Sequence, residues 1–144
     1  MEDFQSSHPE LAFRVYRTAG GLRYLITTGL FLPGDPLVES AMDAADADPT
    51  YRRLCDVQKS FRARLTPKPW RCGVDNPPHR FPYADAGQSA AMDRWAADYA
   101  FVAAKYAVCL YLLDIGSAPV AAEVKPILDD HDRATTTGEN LPLA

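Results

Sequence analysis

The chain has 144 residues and a mass of 15.9 kDa, a size that fits one compact domain and disfavours a multidomain enzyme. Hydrophobic residues make up 47%, charged residues 24%, and the formal net charge is −4, which excludes wholesale disorder and collagen-like or coiled-coil classes. Three cysteines without a repeated spacing fit neither a disulfide framework nor a paired zinc site. The N-terminus lacks signal-peptide features, and no apolar window is long enough for a membrane span, so we expect a cytoplasmic protein that does not enter membranes.

The first predicted element is a β-hairpin over residues 13–28. Two β-rich runs flank Gly20-Gly21, a pair that suits the positive φ angles of a type I′ turn. Strand alternation predicts an apolar face carrying Phe13, Val15, Ala19, Leu22, Tyr24 and Ile26. Arg17 is the one charged residue on that face. The opposite face carries Arg14, Tyr16, Thr18, Arg23, Leu25 and Thr27.

Two short helices and a third strand are predicted next. Asp35-Pro36 and Asp48-Pro49 each combine a capping carboxylate with a proline suited to the first helical turn, which predicts helices near 36–46 and 49–60. Residues 61–66 alternate apolar and polar side chains, which indicates a strand that ends before Pro67.

A long loop and two helices complete the predicted chain. Four prolines between positions 69 and 82 indicate an extended or ordered loop before a long helix near 88–115, which we expect to be the central core helix. Gly116 would stop that helix, and a last helix would begin near Pro119 and bend at Pro126. The predicted fold class is therefore α+β, a small antiparallel sheet packed against helices. We expect one domain over 11–134, with flexible ends at 1–10 and 135–144.

Positive charge is concentrated in the middle of the chain. Residues 51–82 contain eight Lys or Arg and two Asp or Glu, although the protein is acidic overall. If the hairpin and the 61–66 strand share a sheet, their arginines converge on one face that suits phosphate or carboxylate. The candidate ligand-binding residues are Arg14, Tyr16, Arg23, Arg62, Arg64, Lys68, Trp70 and Arg71. The alternative is that this face is only the solvated side of an antiparallel sheet.

Several short words of the sequence resemble a family of uncharacterised bacterial proteins. They are Arg14-Val-Tyr-Arg-Thr18, Gly21-Leu-Arg23, Asp48-Pro-x-Tyr-x-x-Leu-Cys55 and Phe61-Arg-Ala-Arg-Leu-Thr-Pro-Lys-Pro-Trp-Arg-Cys72. The resemblance covers roughly residues 11–73 and implies that the hairpin, the second helix and the third strand belong to one module. The resemblance suggests neither a particular activity nor any catalytic residues.

Catalytic motifs are absent from the sequence. There is no nucleophile elbow, phosphate loop, zinc-protease motif or dinucleotide-binding turn. Cys72 and His79 could form a thiolate and imidazole pair or half a metal site, but the more common outcome for such loop residues is neither. Cys55 and Cys109 are expected to be buried. Asp129, Asp130 and Asp132 form the densest acidic cluster, which is expected to be a solvated helix end unless it faces the arginines.

We therefore expect a noncatalytic binding module for a phosphate-bearing or otherwise anionic ligand. The partner would be a nucleotide, a nucleic-acid end or an acidic protein surface, and no cofactor or metal is expected. One alternative is a metal-assisted phosphoryl-transfer or nucleic-acid-processing enzyme that combines the arginines with the acidic cluster or with the Cys72 and His79 pair. The other is a protein-interaction subunit with an exposed apolar patch on the long helix.

Overall fold

The computed structural model describes residues 1–135 and 141–144. In these ranges the chain forms five α-helices and a three-stranded antiparallel sheet, which confirms the predicted α+β class. The elements in chain order are α1 (Glu2–Ser7), β1 (Phe13–Thr18), β2 (Gly21–Ile26), α2 (Pro36–Ala44), α3 (Pro49–Gln58), α4 (Ala86–Ala103), β3 (Cys109–Ile115) and α5 (Lys125–Thr135). A short 3-10 helix spans Pro69–Arg71. No helix in the described ranges is long and apolar enough to cross a membrane.

The sheet has the order β2-β1-β3, and the predicted hairpin is its first two strands. Thr18 pairs with Gly21, so the loop is Ala19-Gly20, one residue earlier than predicted. The type I′ assignment is wrong, because only Gly21 of the glycine pair has a positive φ angle. The predicted faces survive this change, because moving the loop by one residue shifts each pairing by two, so that Val15 lies opposite Tyr24 on one side and Tyr16 opposite Arg23 on the other.

The third strand lies elsewhere in the chain than the sequence pattern predicts. Residues 61–66 form no strand, and residues 109–115, assigned to the long helix, form β3 instead. The periodicity of an apolar run of this length is compatible with a buried helix and with a strand. These residues form a strand because the free edge of β1 pairs with them. A register shift between Val15 and Tyr16 accommodates β3 with a bulge.

The long helix α4 exists but is shorter and more peripheral than predicted. It ends at Ala103, and Asp85 caps its start by accepting a hydrogen bond from the Gln88 N–H at 2.8 Å. No residue of α4 is buried, so it is not the central core helix. Other elements cover the sheet, which leaves α4 to pack against the preceding loop through Trp95 and Tyr99.

Each sheet face is covered by different helices. On the apolar face, Phe13 packs with Leu11 and Ala41, and α1 and α2 contribute Phe4 and Leu37 around this cluster. On the opposite face, α5 packs against β1, where the Tyr16 and His131 rings lie 4.7 Å apart. The helix α5 begins at Lys125, later than predicted, because Pro126 is tolerated in the first helical turn rather than bending an established helix.

The short helices α2 and α3 begin where the sequence predicts. The Asp35 carboxylate accepts a hydrogen bond from the Leu37 N–H, and that of Asp48 accepts one from the Thr50 N–H. Each helix ends about two residues before its predicted end.

The predicted domain limits and flexible ends are not tested by the structure. At the N-terminal end, Glu2–Ser7 forms α1. At the C-terminal end, Ala144 is buried and its N–H donates to the Ala107 carbonyl at 3.1 Å, while residues 136–140 of the predicted tail lie outside the described residues.

Candidate functional site

The polar face of β1 and β2 meets α5 in a side-chain network. Arg14 of β1 donates to the carboxylates of Asp114 on β3 at 3.1 Å and of Asp132 on α5 at 2.9 Å. The Tyr16 hydroxyl donates to the other oxygen of Asp132, and His131 Nδ1 lies 3.1 Å from that same oxygen. These contacts fix α5 on the sheet, because Asp132 connects both elements.

His131 extends the network to β2. Its Nε2 lies 2.8 Å from an Arg23 Nη1 atom. A guanidinium has only donors, so Nε2 accepts this hydrogen bond and the proton of the neutral ring is on Nδ1, which donates to Asp132. The geometry therefore assigns His131 one tautomer and a neutral charge state. We call Arg14, Tyr16, Arg23, His131 and Asp132 the polar network.

Burial and hydrogen bonding together set the charge states in the polar network. Tyr16 is 0% and His131 4% exposed. Burial lowers the pKa of His131 below 6.5, against an opposing hydrogen bond to Asp132. For Asp132 burial acts upward, but hydrogen bonds from Tyr16, His131 and Arg14 outweigh it and hold the pKa below 3.8. Burial, followed by the hydrogen bond to Asp132, raises the pKa of Tyr16. At neutral pH the network therefore contains a neutral imidazole, a neutral phenol and a charged carboxylate.

Arg23 joins the polar network to a second feature. Its Nη1 lies 3.7 Å from the Cys109 sulfur, and its Nη2 donates to the Arg64 carbonyl at 3.1 Å. Arg64 belongs to residues 61–71, which we call the basic segment. One guanidinium thus touches both α5 and the backbone of the basic segment.

The basic segment lacks sheet pairing but is held by other hydrogen bonds. The Tyr99 hydroxyl of α4 donates to the Pro67 carbonyl at 2.6 Å. Further along the chain, the Trp95 indole N–H donates to the Asp75 carbonyl at 2.8 Å. Pro67 and Pro69 are buried. The backbone is therefore anchored from β2 and α4, while its charged side chains extend outward.

The four cations of the basic segment lie at the protein surface. Arg62, Arg64 and Arg71 are exposed, and Lys68 is half-buried. Within the described ranges, no carboxylate lies within 4.0 Å of these four side chains. The local sequence explains this, because residues 57–74 contain no Asp or Glu. Among the described residues, these four charges therefore have no counter-charge.

An exposed indole accompanies these cations. Trp70 is 56% exposed, and the Lys68 ammonium lies 5.2 Å from its ring centroid. The next residue, Arg71, lies beside the loop that joins β1 and β2: its guanidinium is 3.3 Å from the position that a Cβ on Gly20 would occupy. Cations and an aromatic surface are thus adjacent along a few residues, an arrangement that is typical of single-stranded nucleic-acid binders.

The predicted site is therefore divided into two parts. Arg14, Tyr16 and Arg23 have partners inside the protein, whereas the other predicted residues remain on the surface. The surface group is Arg62, Arg64, Lys68, Trp70 and Arg71. The arginines of the hairpin and those of residues 61–66 do not share a sheet face, because residues 61–66 are not a strand. Arg23 is the link between the parts, through the Arg64 carbonyl.

The acidic cluster is divided in the same way. Asp132 faces the sheet, while Asp129 and Asp130 are exposed and Asp130 pairs with Arg133 at 2.8 Å. Sequence reasoning found Asp132 as a cluster member but missed Asp114, because the helix assignment gave that residue no place opposite Arg14. Had residues 109–115 been predicted as a strand beside β1, Asp114 could have been placed opposite Arg14.

The described residues offer little for cysteine or metal chemistry. Cys55, Cys72 and Cys109 are all buried and free, which confirms the burial predicted for Cys55 and Cys109. Burial raises the pKa of the Cys72 thiol and of the Cys109 thiol, which disfavours a thiolate at either position. In the described ranges, no group of three or more His, Cys, Asp or Glu side chains is arranged to hold a metal ion.

Two surface depressions lie away from the basic segment. One of about 400 Å³ lies between α2 and α3 and is lined by Asp43 and Arg52, which bond each other. The other, of about 370 Å³, lies on the apolar sheet face beside Leu22 and Leu113. A ligand at the basic segment would therefore occupy neither of these depressions.

No family model matches the chain, and comparisons with curated proteins and with solved structures find no match. The resemblance of residues 11–73 to uncharacterised bacterial proteins therefore stays a prediction. The geometry of the polar network and of the basic segment is what supports a function.

Proposed function

We propose that the protein is a noncatalytic, cytoplasmic binding module that holds a phosphate-bearing ligand at the basic segment. The observation that supports this most directly is the group of four cations on an anchored backbone, for which the part of the chain that the structure describes offers no carboxylate partner. Arginine guanidinium groups bind phosphate oxygens in a two-pronged geometry, and lysine adds a point charge.

The ligand class we favour is single-stranded nucleic acid or a nucleotide. Trp70 presents an indole on which a base can stack, beside cations that can bind the phosphates. The overall charge of −4 argues against nonspecific duplex binding, because such proteins are usually basic overall. A short local interaction along one segment agrees better with this charge.

The anchoring of the segment supports binding at low entropic cost. Hydrogen bonds from Arg23 and Tyr99 hold carbonyls of residues 64 and 67, so the backbone between them is already ordered before a ligand arrives. The cationic side chains alone would lose conformational freedom.

The test is a thermal-shift screen of the pure protein at low ionic strength. The probes are an oligothymidylate, an oligouridylate, a nucleoside triphosphate, inorganic tripolyphosphate and a polyglutamate peptide. We expect the oligonucleotides to stabilise the protein most, because ligands that bind only the folded state raise its melting temperature. Stabilisation by polyglutamate alone would identify an acidic protein partner instead.

A charge-matched pair of double variants locates the site. The Arg62→Ala/Arg64→Ala variant should lose the oligonucleotide shift. The control Arg53→Ala/Arg94→Ala removes the same charge from exposed positions on α3 and α4 and should keep it. Equal loss in both variants would show a dependence on net charge only, and retention in both would contradict the proposed site.

A further inference from the structure

The contact between Arg23 and His131 is compatible with only one charge state of the ring. His131 Nε2 accepts a hydrogen bond from Arg23 at 2.8 Å while Nδ1 faces Asp132. Protonation at Nε2 would place a donor against a donor and a positive charge against a positive charge at this distance. The ring would keep its contact with Asp132, whereas its contact with Arg23 would be lost.

The surroundings of His131 leave Arg23 as the group that must move. The groups that contact the ring are Tyr16 of β1, Arg23 of β2 and Asp132 of α5, while Cys109 of β3 contacts Arg23. Tyr16 and Cys109 are buried and neutral, and Asp132 attracts a protonated ring. Arg23, which contacts the ring directly, is repelled, and it is half-buried on the edge strand β2. Arg14, the other cation of the polar network, is held by Asp114 and by the second oxygen of Asp132.

The basic segment is where a displaced Arg23 would go. Its Nη2 already donates to the Arg64 carbonyl at 3.1 Å, so the guanidinium can rotate about that contact without leaving the segment. In that position it adds a further cation beside the exposed side chains of Arg62 and Arg64.

We propose that protonation of His131 expels the Arg23 guanidinium from the polar network toward the basic segment, so that acidification strengthens anion binding there. This regulation rests on the function proposed above. Burial lowers the pKa of His131 from its ordinary value, so the ring is neutral at neutral pH, and the protein binds more tightly once the pH has fallen through the pKa of the ring.

The test uses an oligothymidylate with a pH-insensitive rhodamine label, whose phosphodiesters keep their charge throughout. Fluorescence anisotropy gives the dissociation constant of the full chain at about pH 7.5 and at a pH below the midpoint of the His131 ring titration, which NMR measures on the same chain. We expect binding about fivefold tighter at the lower pH, a factor at the small end of the coupling between linked sites. Binding of equal strength at both pH values overturns the inference and leaves the proposed function in place, whereas no binding at either overturns both.

Two variants assign the effect to His131. In His131→Gln the amide oxygen can accept the hydrogen bond from Arg23 but cannot be protonated, so the pH dependence should disappear. His79→Gln is the matched control, since it removes an imidazole outside the polar network, and it should keep the wild-type pH dependence. The reverse pattern would overturn the proposal.

A measurement on the wild-type chain covers the case in which His131→Gln fails to fold. The amide N–H of Leu65 belongs to the peptide group whose carbonyl accepts from Arg23. In NMR spectra its shift should titrate with the same midpoint as the His131 ring. Independent titration of the two signals would contradict the coupling through Arg23.

Discussion

At the residue scale, Asp132 is an α5 side chain that bonds this helix to β1. Its two oxygens accept from Arg14, Tyr16 and His131, which come from β1 and from α5 itself. Such charge-assisted hydrogen bonds are stronger than neutral ones. Removing the acceptor would leave buried donors without a partner, and that loss costs more than the bond itself gained.

Asp132→Asn should therefore lower the free energy of unfolding by about 2 kcal/mol. The amide keeps the shape of the carboxylate but loses the charge and places a donor where acceptors are needed. Asp129→Asn is the control, because that carboxylate is exposed on the same helix, and it should change stability by less than about 0.5 kcal/mol. Urea unfolding measures both, and similar losses would contradict the role of Asp132.

The polar network also predicts the pH range of maximum stability. Because the pKa of folded His131 lies below 6.5, the unfolded state binds the proton more readily and stability falls as pH drops below that value. Asp132 adds a further loss below pH 3.8. The raised pKa of Tyr16 means that the unfolded phenol ionises first, so stability also falls above pH 10.

Urea unfolding across this pH range checks the signs. His131→Gln should flatten the decline just below pH 6.5 and leave the decline above pH 10 unchanged. A variant with the wild-type decline in the acidic range would assign that decline to other groups.

At the element scale, Gly116 shows how β3 is joined to the rest of the sheet. It has a φ angle of +88°, and a Cβ at this position would lie 2.6 Å from the Leu11 carbonyl oxygen. Backbone on both sides is fixed, because Phe13 pairs with Ile115. Only glycine fits where the end of β3 passes this close to the start of β1.

Gly116→Ala should destabilise the protein by about 3 kcal/mol, the sum of left-handed strain and a backbone clash. Gly34→Ala is the matched control, because Gly34 has a similar φ angle of +90° but open space around its Cα, so it should cost about 1 kcal/mol. Thermal unfolding of both variants gives the comparison. Equal costs would mean that β3 does not approach residue 11 as described.

The elements differ in how well the sequence predicts them, for local reasons. The starts of α2 and α3 are correct because an Asp-Pro cap acts within one turn. The hairpin faces are correct because alternation survives a two-residue shift in pairing. The strand β3 was missed because Cys109–Ile115 fits a helix or a strand, and only the free edge of β1 decides between them.

At the scale of the whole molecule, the candidate site was predicted in part. The cation-rich composition of residues 61–71 identified the surface group directly, since charge density is visible in sequence. The bonds from Arg14 and Arg23 to α5 could not be predicted in the same way. They depend on which helix packs on the polar face of the sheet, and residue spacing does not give that information. The result is a protein in which one arginine connects a buried network to an exposed basic surface.

The basic segment should contribute to binding rather than to stability. Arg62 and Arg64 are exposed without carboxylate partners among the described residues, so the double alanine variant should keep its melting temperature within about 2 °C. Differential scanning calorimetry measures this. A much larger decrease would mean that their aliphatic stems contribute to packing.

The most direct test of the account is the salt dependence of oligothymidylate binding. If phosphates bind the four cations of the basic segment, the slope of log affinity against log salt should be about −2.8, at roughly 0.7 per contact for a single strand. Arg62→Ala/Arg64→Ala should reduce its magnitude by about 1.4, while Arg53→Ala/Arg94→Ala should leave it unchanged. A slope near zero, or equal slopes in both variants, would contradict phosphate binding by the basic segment.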